Sequence, residues 1–320
     1  MRSFLAAIGK SAICAALMSA LAFSTLAQVS LRDALDSNND NKADFIIFRP
    51  SNNTWYIYTS GNGYREQSFG SANEDFMVPG DYDGDGTGDI AVWRETTGVW
   101  YRLFSSSQTY TAFAWGIPGD EPVARDYDGD GKTDMAVVRR SNGKLTWYLF
   151  LSQNNGIVAR EFGISTDFTA PGDYNGDGKF DFAVQRPGAS PAAAGTFYVQ
   201  TATTFETYTW GLSNDLVVPG DYDGDGRTDV AVVREGINAT SNLLWLIRRS
   251  SDGQTIQREW GVSGTDLNTQ NDYDGDGKTD LAVWRNTDGR FYVFNEATLG
   301  ITVVHWGIPN DYPVGSYDTH

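Results

Sequence analysis

One unit constrains this chain more than anything else in it: the stretch Asn271 to Arg285, NDYDGDGKTDLAVWR, has counterparts whose loops begin at Asp36, Asp81, Asp126, Asp173 and Asp221. The unit returns every 45 to 51 residues, and a period in that range marks a solenoid or a propeller. Each copy places oxygen-bearing side chains at loop positions 1, 3, 5 and 9. These are Asp36, Asn38, Asp40 and Asp44; Asp81, Asp83, Asp85 and Asp89; Asp126, Asp128, Asp130 and Asp134; Asp173, Asn175, Asp177 and Asp181; Asp221, Asp223, Asp225 and Asp229; Asp272, Asp274, Asp276 and Asp280. Alternate carboxylates in a tight turn point inward together, and a hard cation takes roughly 6 to 8 oxygens. Gly131 supplies the bend in the third copy, and the carbonyl of Lys132 at position 7 is a natural further ligand. Packed carboxylates with no cation would repel one another, so the repeated register points to about six calcium ions. A helix-flanked calcium loop is excluded, because it needs a bidentate Glu at position 12. Here that position is Val92, Val137, Val184, Val232 or Val283.

The segments between loops read alike. A short run apolar at both parities follows each loop, as in IAVWR from Ile90, and implies a strand buried on both faces. An aromatic strand comes next, such as VWYRLF from Val99. A third strand ends in an aromatic-Gly pair at Phe69, Trp115, Phe162, Trp210, Trp260 and Trp306. The fourth, through Pro79, Pro122, Pro171, Pro219 or Pro313, leads into the next loop, with proline expected at the start of a strand that lines a central channel. Four antiparallel strands per repeat predict an all-β protein, a six-bladed β-propeller spanning residues 28–320. A seven-bladed ring is the weaker alternative.

Acid and arginine recur at a fixed distance. Asp75 and Arg94, Asp120 and Arg139, Asp167 and Arg186, Asp215 and Arg234, and Asp266 and Arg285 are all 19 residues apart. In a hairpin centred on the loop they are cross-strand partners at the end far from the ion. Arg49 lacks such a partner and Asp311 lacks an Arg, so residues 312–318 are expected to complete the first blade and bring the two together.

The loops with their flanking strands resemble FG-GAP repeats, also called VCBS repeats, of the integrin alpha-chain propeller type, over essentially residues 29–318. The resemblance implies a propeller with calcium in the loop between the first two strands of each blade, and carries the ligand role onto Asp81, Asp83, Asp85, Asp89 and their counterparts. Loop 1 departs by having Asn38 at position 3 and Asn41 where Gly is expected, and loop 4 by having Asn175. The family's Gly-Ala-Pro ending is replaced by a strand ending in Arg.

The first 27 residues have Arg2 and Lys10, an apolar run to Phe23 and small residues to Ala27, the layout of a secretory signal peptide. Cys14, the one cysteine, lies inside it, so a mature chain has no thiol chemistry. Cleavage turns the formal charge of −17 into −19, because the leader holds two basic residues and no acidic one. That surface is a poor partner for nucleic acid or anionic membrane. The expected localisation is secreted or at the cell surface, as a monomer.

Catalytic chemistry is sparse. His305 and His320 are the only histidines, which disfavours a Ser-His-Asp site, and no carboxylate pair stands out. The sequence therefore reads as a calcium-binding module for an extracellular glycan or protein ligand. A polysaccharide-acting enzyme or a structural cell-surface component is the alternative. Trp93 and Trp284 vary between repeats and are the candidate platforms. The ligand is expected on the face away from the loops, near the inserts at Pro187 and Asn238.

Overall fold

The computed structural model describes residues 34–61 and 63–315. The expected leader, residues 316–318 of the closing strand and His320 lie outside them. Six four-stranded antiparallel sheets form the blades of a β-propeller, which excludes the seven-bladed alternative. In blade 2 the strands are Asp75–Met77, Ile90–Arg94, Val99–Leu103 and Tyr110–Ala114. Blades 3 to 6 repeat this order, opening at Glu121, Phe168, Leu216 and Asp266. Blade 1 takes its first strand, Tyr312–Pro313, from the C-terminal end, and adds Phe45–Arg49, Thr54–Tyr58 and Tyr64–Ser68.

Burial explains the order of the strands. The second strand is closed on both faces, with Ile90 to Trp93 all buried, because blades pack on each side of it. Ala91, Ala136, Ala183, Ala231 and Ala282 are wholly buried there, where a larger side chain would push neighbouring blades apart. In blades 3 and 4 the third strand alternates buried and half-buried residues after its first, and in blade 2 the outermost alternates exposed and half-buried ones. The first strand is only two or three residues long. Its prolines sit at or past the loop-side end rather than at its start: Pro79, Pro171 and Pro219 follow the ladder, while Pro122 and Pro313 are its last residues.

The aromatic repeats are mostly core. Trp55, Trp100, Trp147 and Trp245 are fully buried, and each indole donates to a carbonyl of its own outer strand's end, as Trp100 Nε1 does to Trp115 O at 2.9 Å. The tryptophan of the aromatic-Gly pair instead reaches the next blade. Trp115, Trp210, Trp260 and Trp306 donate to Tyr148 O, Leu246 O, Tyr292 O and Tyr56 O at 3.0–3.3 Å. The glycine after each holds a positive φ, from 72° at Gly211 to 122° at Gly307, a conformation costly for other residues. Trp93 and Trp284 are not platforms: both are wholly buried, donating to Trp115 O and Trp306 O. Their variation reflects packing between blades, which accepts Phe48, Val138 or Val233 in the same place.

All six acid–arginine pairs form. In blade 2, Arg94 Nε and Nη2 donate to the two oxygens of Asp75 at 2.7 and 3.0 Å, and the two residues face each other in register. Arg49 and Asp311 join in the same bidentate way at 2.8 and 2.9 Å. Each aspartate also accepts a backbone N–H, such as that of Ser71 or Ile308. Five of the arginines lie over a tyrosine of the third strand, within 4.2–4.8 Å of the ring centre. Arg234 is the exception, because Leu246 holds the tyrosine's place opposite Val232.

Candidate metal centres

Each loop is drawn tight by its first aspartate. Asp81 accepts the N–H groups of Gly84 at 2.6 Å and Gly86 at 2.8 Å, and Asp126, Asp173, Asp221 and Asp272 do the same in their loops. Asp85 turns back onto Thr87 N at 2.8 Å. As a result, oxygens of Asp81, Asp83 and Asp85 lie within 4.8 Å of one another, as do those of Asp221, Asp223 and Asp225, and of Asp272, Asp274 and Asp276. In loop 3 the close group is Asp126, Asp128 and Asp134. In loops 1 and 4 the amides of Asn38 and Asn175 donate to Asp40 and Asp177 at 3.1 Å.

Position 9 has a second task. Asp89 accepts Tyr82 N through one oxygen and Ser105 N through the other, at 2.9 and 2.7 Å. It thereby ties the loop to the turn between the blade's third and fourth strands. Asp44, Asp134 and Asp229 repeat the pattern. Burial pushes the carboxyls of Asp44 and Asp89 up to about 6, and those of Asp134, Asp181, Asp229 and Asp280 up to about 7, against the backbone hydrogen bonds that pull them down. Asp126 is raised to about 6 for the same first reason.

The same turn supplies donors that the sequence reading missed. Ser105 Oγ and Ser106 Oγ reach Asp85 and Asp83 at 3.1 and 2.5 Å, Ser152 Oγ reaches Asp130 at 2.9 Å, and Ser250 Oγ reaches Asp225 at 2.7 Å. Ser60 meets Asp40, and Asn295 meets Asp274. In five blades a Ser or Asn stands there, but hairpins of unequal length shift its distance from the loop and hide the repeat.

The loops are also joined to one another. The carbonyl of position 1 accepts the N–H of position 8 of the following blade at every junction, closing a ring. Asp36, Asp81, Asp126, Asp173, Asp221 and Asp272 accept from Gly88, Thr133, Phe180, Thr228, Thr279 and Ala43 at 2.6–2.9 Å. Position 7 adds a cation at five junctions. Lys132 Nζ donates to Asp83 O at 3.0 Å and Lys179 Nζ to Asp128 O at 2.7 Å. The stem lies so close over position 4 that a Cβ on Gly84 would stand 2.6 Å from Lys132 Cε. At the sixth junction Thr87 replaces the cation, and Asn39 replaces the glycine it would cover.

The side-chain donors are all oxygen, with neither imidazole nor thiolate among them, a set that fits a hard divalent cation. These aspartate groups could hold a metal ion. His305 is exposed on the outer strand of blade 6, away from them.

The FG-GAP-like repeat family matches residues 36–116 and 126–184, and the structure carries the same blade and loop through the remaining repeats. The chain is an FG-GAP repeat β-propeller. No curated protein matches it. Among solved structures, an arginine-to-alanine triple mutant of AofleA from Arthrobotrys oligospora shares 9% identity, with 82% of this chain and 81% of that one covered and a TM-score of 0.53. Virginiamycin B lyase from Staphylococcus aureus shares 10% identity over 86% and 88%, with a TM-score of 0.49. A calcium-binding protein, regucalcin, from Agrobacterium tumefaciens shares 11% over 73% and 75%, with a TM-score of 0.40. At these identities the likeness is one of fold alone.

Proposed function

We propose that this FG-GAP propeller is a secreted, calcium-stabilised binding or adhesion module for an extracellular glycan or protein ligand. The observation that carries the reading is the closed ring of six acidic loops, each hydrogen-bonded to the next. A scaffold so joined holds the opposite face rigid, which is what a pre-organised binding surface requires. In loop 2 the ion would be held by Asp81, Asp83 and Asp85, with Asp89 and the Ser105–Ser106 turn bracing the carboxylates. When bound, it supplies the positive charge that lets buried aspartates stay ionised. Six divalent ions would bring the mature charge from −19 to about −7, an ordinary value for a soluble domain.

Position 3 gives the cleanest test. Asp81 is needed to shape the loop through Gly84 and Gly86, whereas Asp83 holds little of it together. Asp83→Ala is therefore expected to remove one calcium ion of six in titration calorimetry and to leave the other five and the far-UV spectrum unchanged. Six ions still bound by the variant would break the link between loop and ion. Retention on immobilised glycans or matrix proteins in calcium, lost with chelator, tests the binding role.

A further inference from the structure

A cavity of about 500 Å³ opens where blades 3, 4 and 5 meet, within the ~300–1,000 Å³ usual for small-ligand sites. Its walls come from the start of each blade's first strand and the end of its second, the end carrying the acid–arginine pairs. It therefore lies on the face away from the loops, at the mouth of the space the first strands enclose.

Features that break the repeat converge on it. The residue after the paired aspartate is apolar in five blades, namely Phe76, Phe168, Leu216, Leu267 and Tyr312, but is Glu121 in blade 3. Glu121 is fixed by Arg140, whose Nε and Nη2 donate to it at 2.6 and 3.0 Å while Nη1 is spent on Ser165 O and Asp167 O. The two hairpins that depart from the period reach the same rim, one through Pro191 and the other through Glu235 and Gly236. Arg234, the one clamp arginine without a stacked tyrosine, faces the cavity as well. Gln185, opposite Phe168 in the strand pairing, is wholly buried with its Oε1 unpartnered. Glu121 with its Arg140 clamp and the two irregular hairpins have no counterpart elsewhere in the ring.

The chemistry of the walls is divided. Phe168 and Leu216 are 43% and 36% exposed, an apolar platform left open to solvent. On the other side, both guanidiniums are already engaged by carboxylates, and Glu235 has no ion-pair partner among the described residues. The free polar capacity is thus acceptor-rich and negative. A molecule that matches has one face of C–H groups for the platform and an edge of hydroxyl or amine donors for the carboxylates. An anionic ligand would meet Glu235, and Glu121 whose Arg140 partner is already engaged, with no free cation to offset them, at a cost.

We infer that this cavity is the ligand site of the propeller and takes a neutral or amino-bearing carbohydrate, with Phe168 under the sugar ring and Glu235 and Glu121 accepting from its hydroxyls. The inference rests on the binding role proposed above. Its test is a panel of immobilised neutral, amino-sugar and uronic-acid oligosaccharides, followed by calorimetry with the best soluble one in calcium. Phe168→Ala and Glu235→Gln are each expected to lower affinity about tenfold or more. Phe205→Ala, which removes an exposed aromatic on the outer strand of blade 4, is expected to change nothing, and all three variants should keep their calcium-loaded melting temperature. Wild-type affinity in both cavity variants would overturn the site while leaving the binding role standing. Preference for uronic acids would overturn the ligand class. A wild type that binds no sugar on the panel would overturn both the site's ligand and the glycan form of the proposed function, with calcium binding decided separately.

Discussion

Chelating calcium is expected to lower the melting temperature by about 20 °C or more at mildly alkaline pH. A ligand that binds only the folded state stabilises it by about 2.7 kcal/mol at a hundredfold excess over its Kd. Six such sites would together match or exceed the roughly 5–15 kcal/mol that holds an ordinary domain folded. Sharing backbone hydrogen bonds around the ring should make their loss cooperative. Metal-free, the folded protein carries position-9 aspartates raised by burial, Asp89 to about 6 and Asp134 to about 7. Between the ordinary carboxylate range and those values it binds more protons than the unfolded chain, so its stability falls as pH rises. The loaded protein behaves oppositely, since protons compete with the ion. The gap between loaded and chelated melting curves should therefore be narrow near about pH 5 and wide near about pH 8. Melting indifferent to chelator at the alkaline end would refute the assignment of the loops.

The fold was readable because its determinants are local and repeated. Loop register, the doubly buried IAVWR-type strand and the 19-residue spacing of Asp75 and Arg94 each follow from short-range pattern. Six copies average out the exceptions. What escaped depends on neighbours that the chain brings together only when the ring closes. Trp93 looked like a variable surface residue, because variation at a blade-to-blade contact and variation at a pocket are indistinguishable along a single strand. The interblade carbonyl of Asp81 leaves no side-chain trace at all. Lys132 over Gly84 did leave one, in the paired exchange of Thr87 and Asn39, but reading it requires knowing that position 7 of one blade meets position 4 of the blade before. Ser105 and its equivalents were obscured by hairpins of unequal length. The irregular hairpins at Pro187 and Asn238 were visible as insertions, and their meeting at one cavity with Glu121 was not.

Closure of the ring should depend on the last described residues more than on any other short segment. Three hydrogen-bonded links cross the seam between blades 6 and 1: Ala43 N to Asp272 O at 2.8 Å, Trp306 Nε1 to Tyr56 O at 3.0 Å, and the pairing of Tyr312–Pro313 with Ile47 and Phe48. Asp311 secures the last of them, its side chain 1% exposed and bound to Arg49 and to Ile308 N. Removing one partner of such a buried pair costs roughly 3–5 kcal/mol, toward the lower end here because the Arg49 side chain is 22% exposed. Asp311→Ala is thus expected to destabilise about as much as Asp215→Ala, its equivalent inside blade 5. Deleting residues 311–320 should do far more. It also withdraws Val314, which is 2% exposed and worth about 1.5–3 kcal/mol when buried, and it leaves the second strand of blade 1 without its inner neighbour. Inside the ring, a lost first strand would still be bracketed by covalent chain on both sides. At the seam no covalent chain brackets the strand, and blades 6 and 1 are held together by these links and by apolar packing such as that of Phe45 against Tyr273 and Phe291. The truncated protein is therefore expected to melt well below both point variants in calcium, and a peptide spanning residues 311–320, added in trans, should recover part of the loss by strand addition. Truncated and full-length protein melting together in differential scanning calorimetry would show that the ring does not need this strand to close.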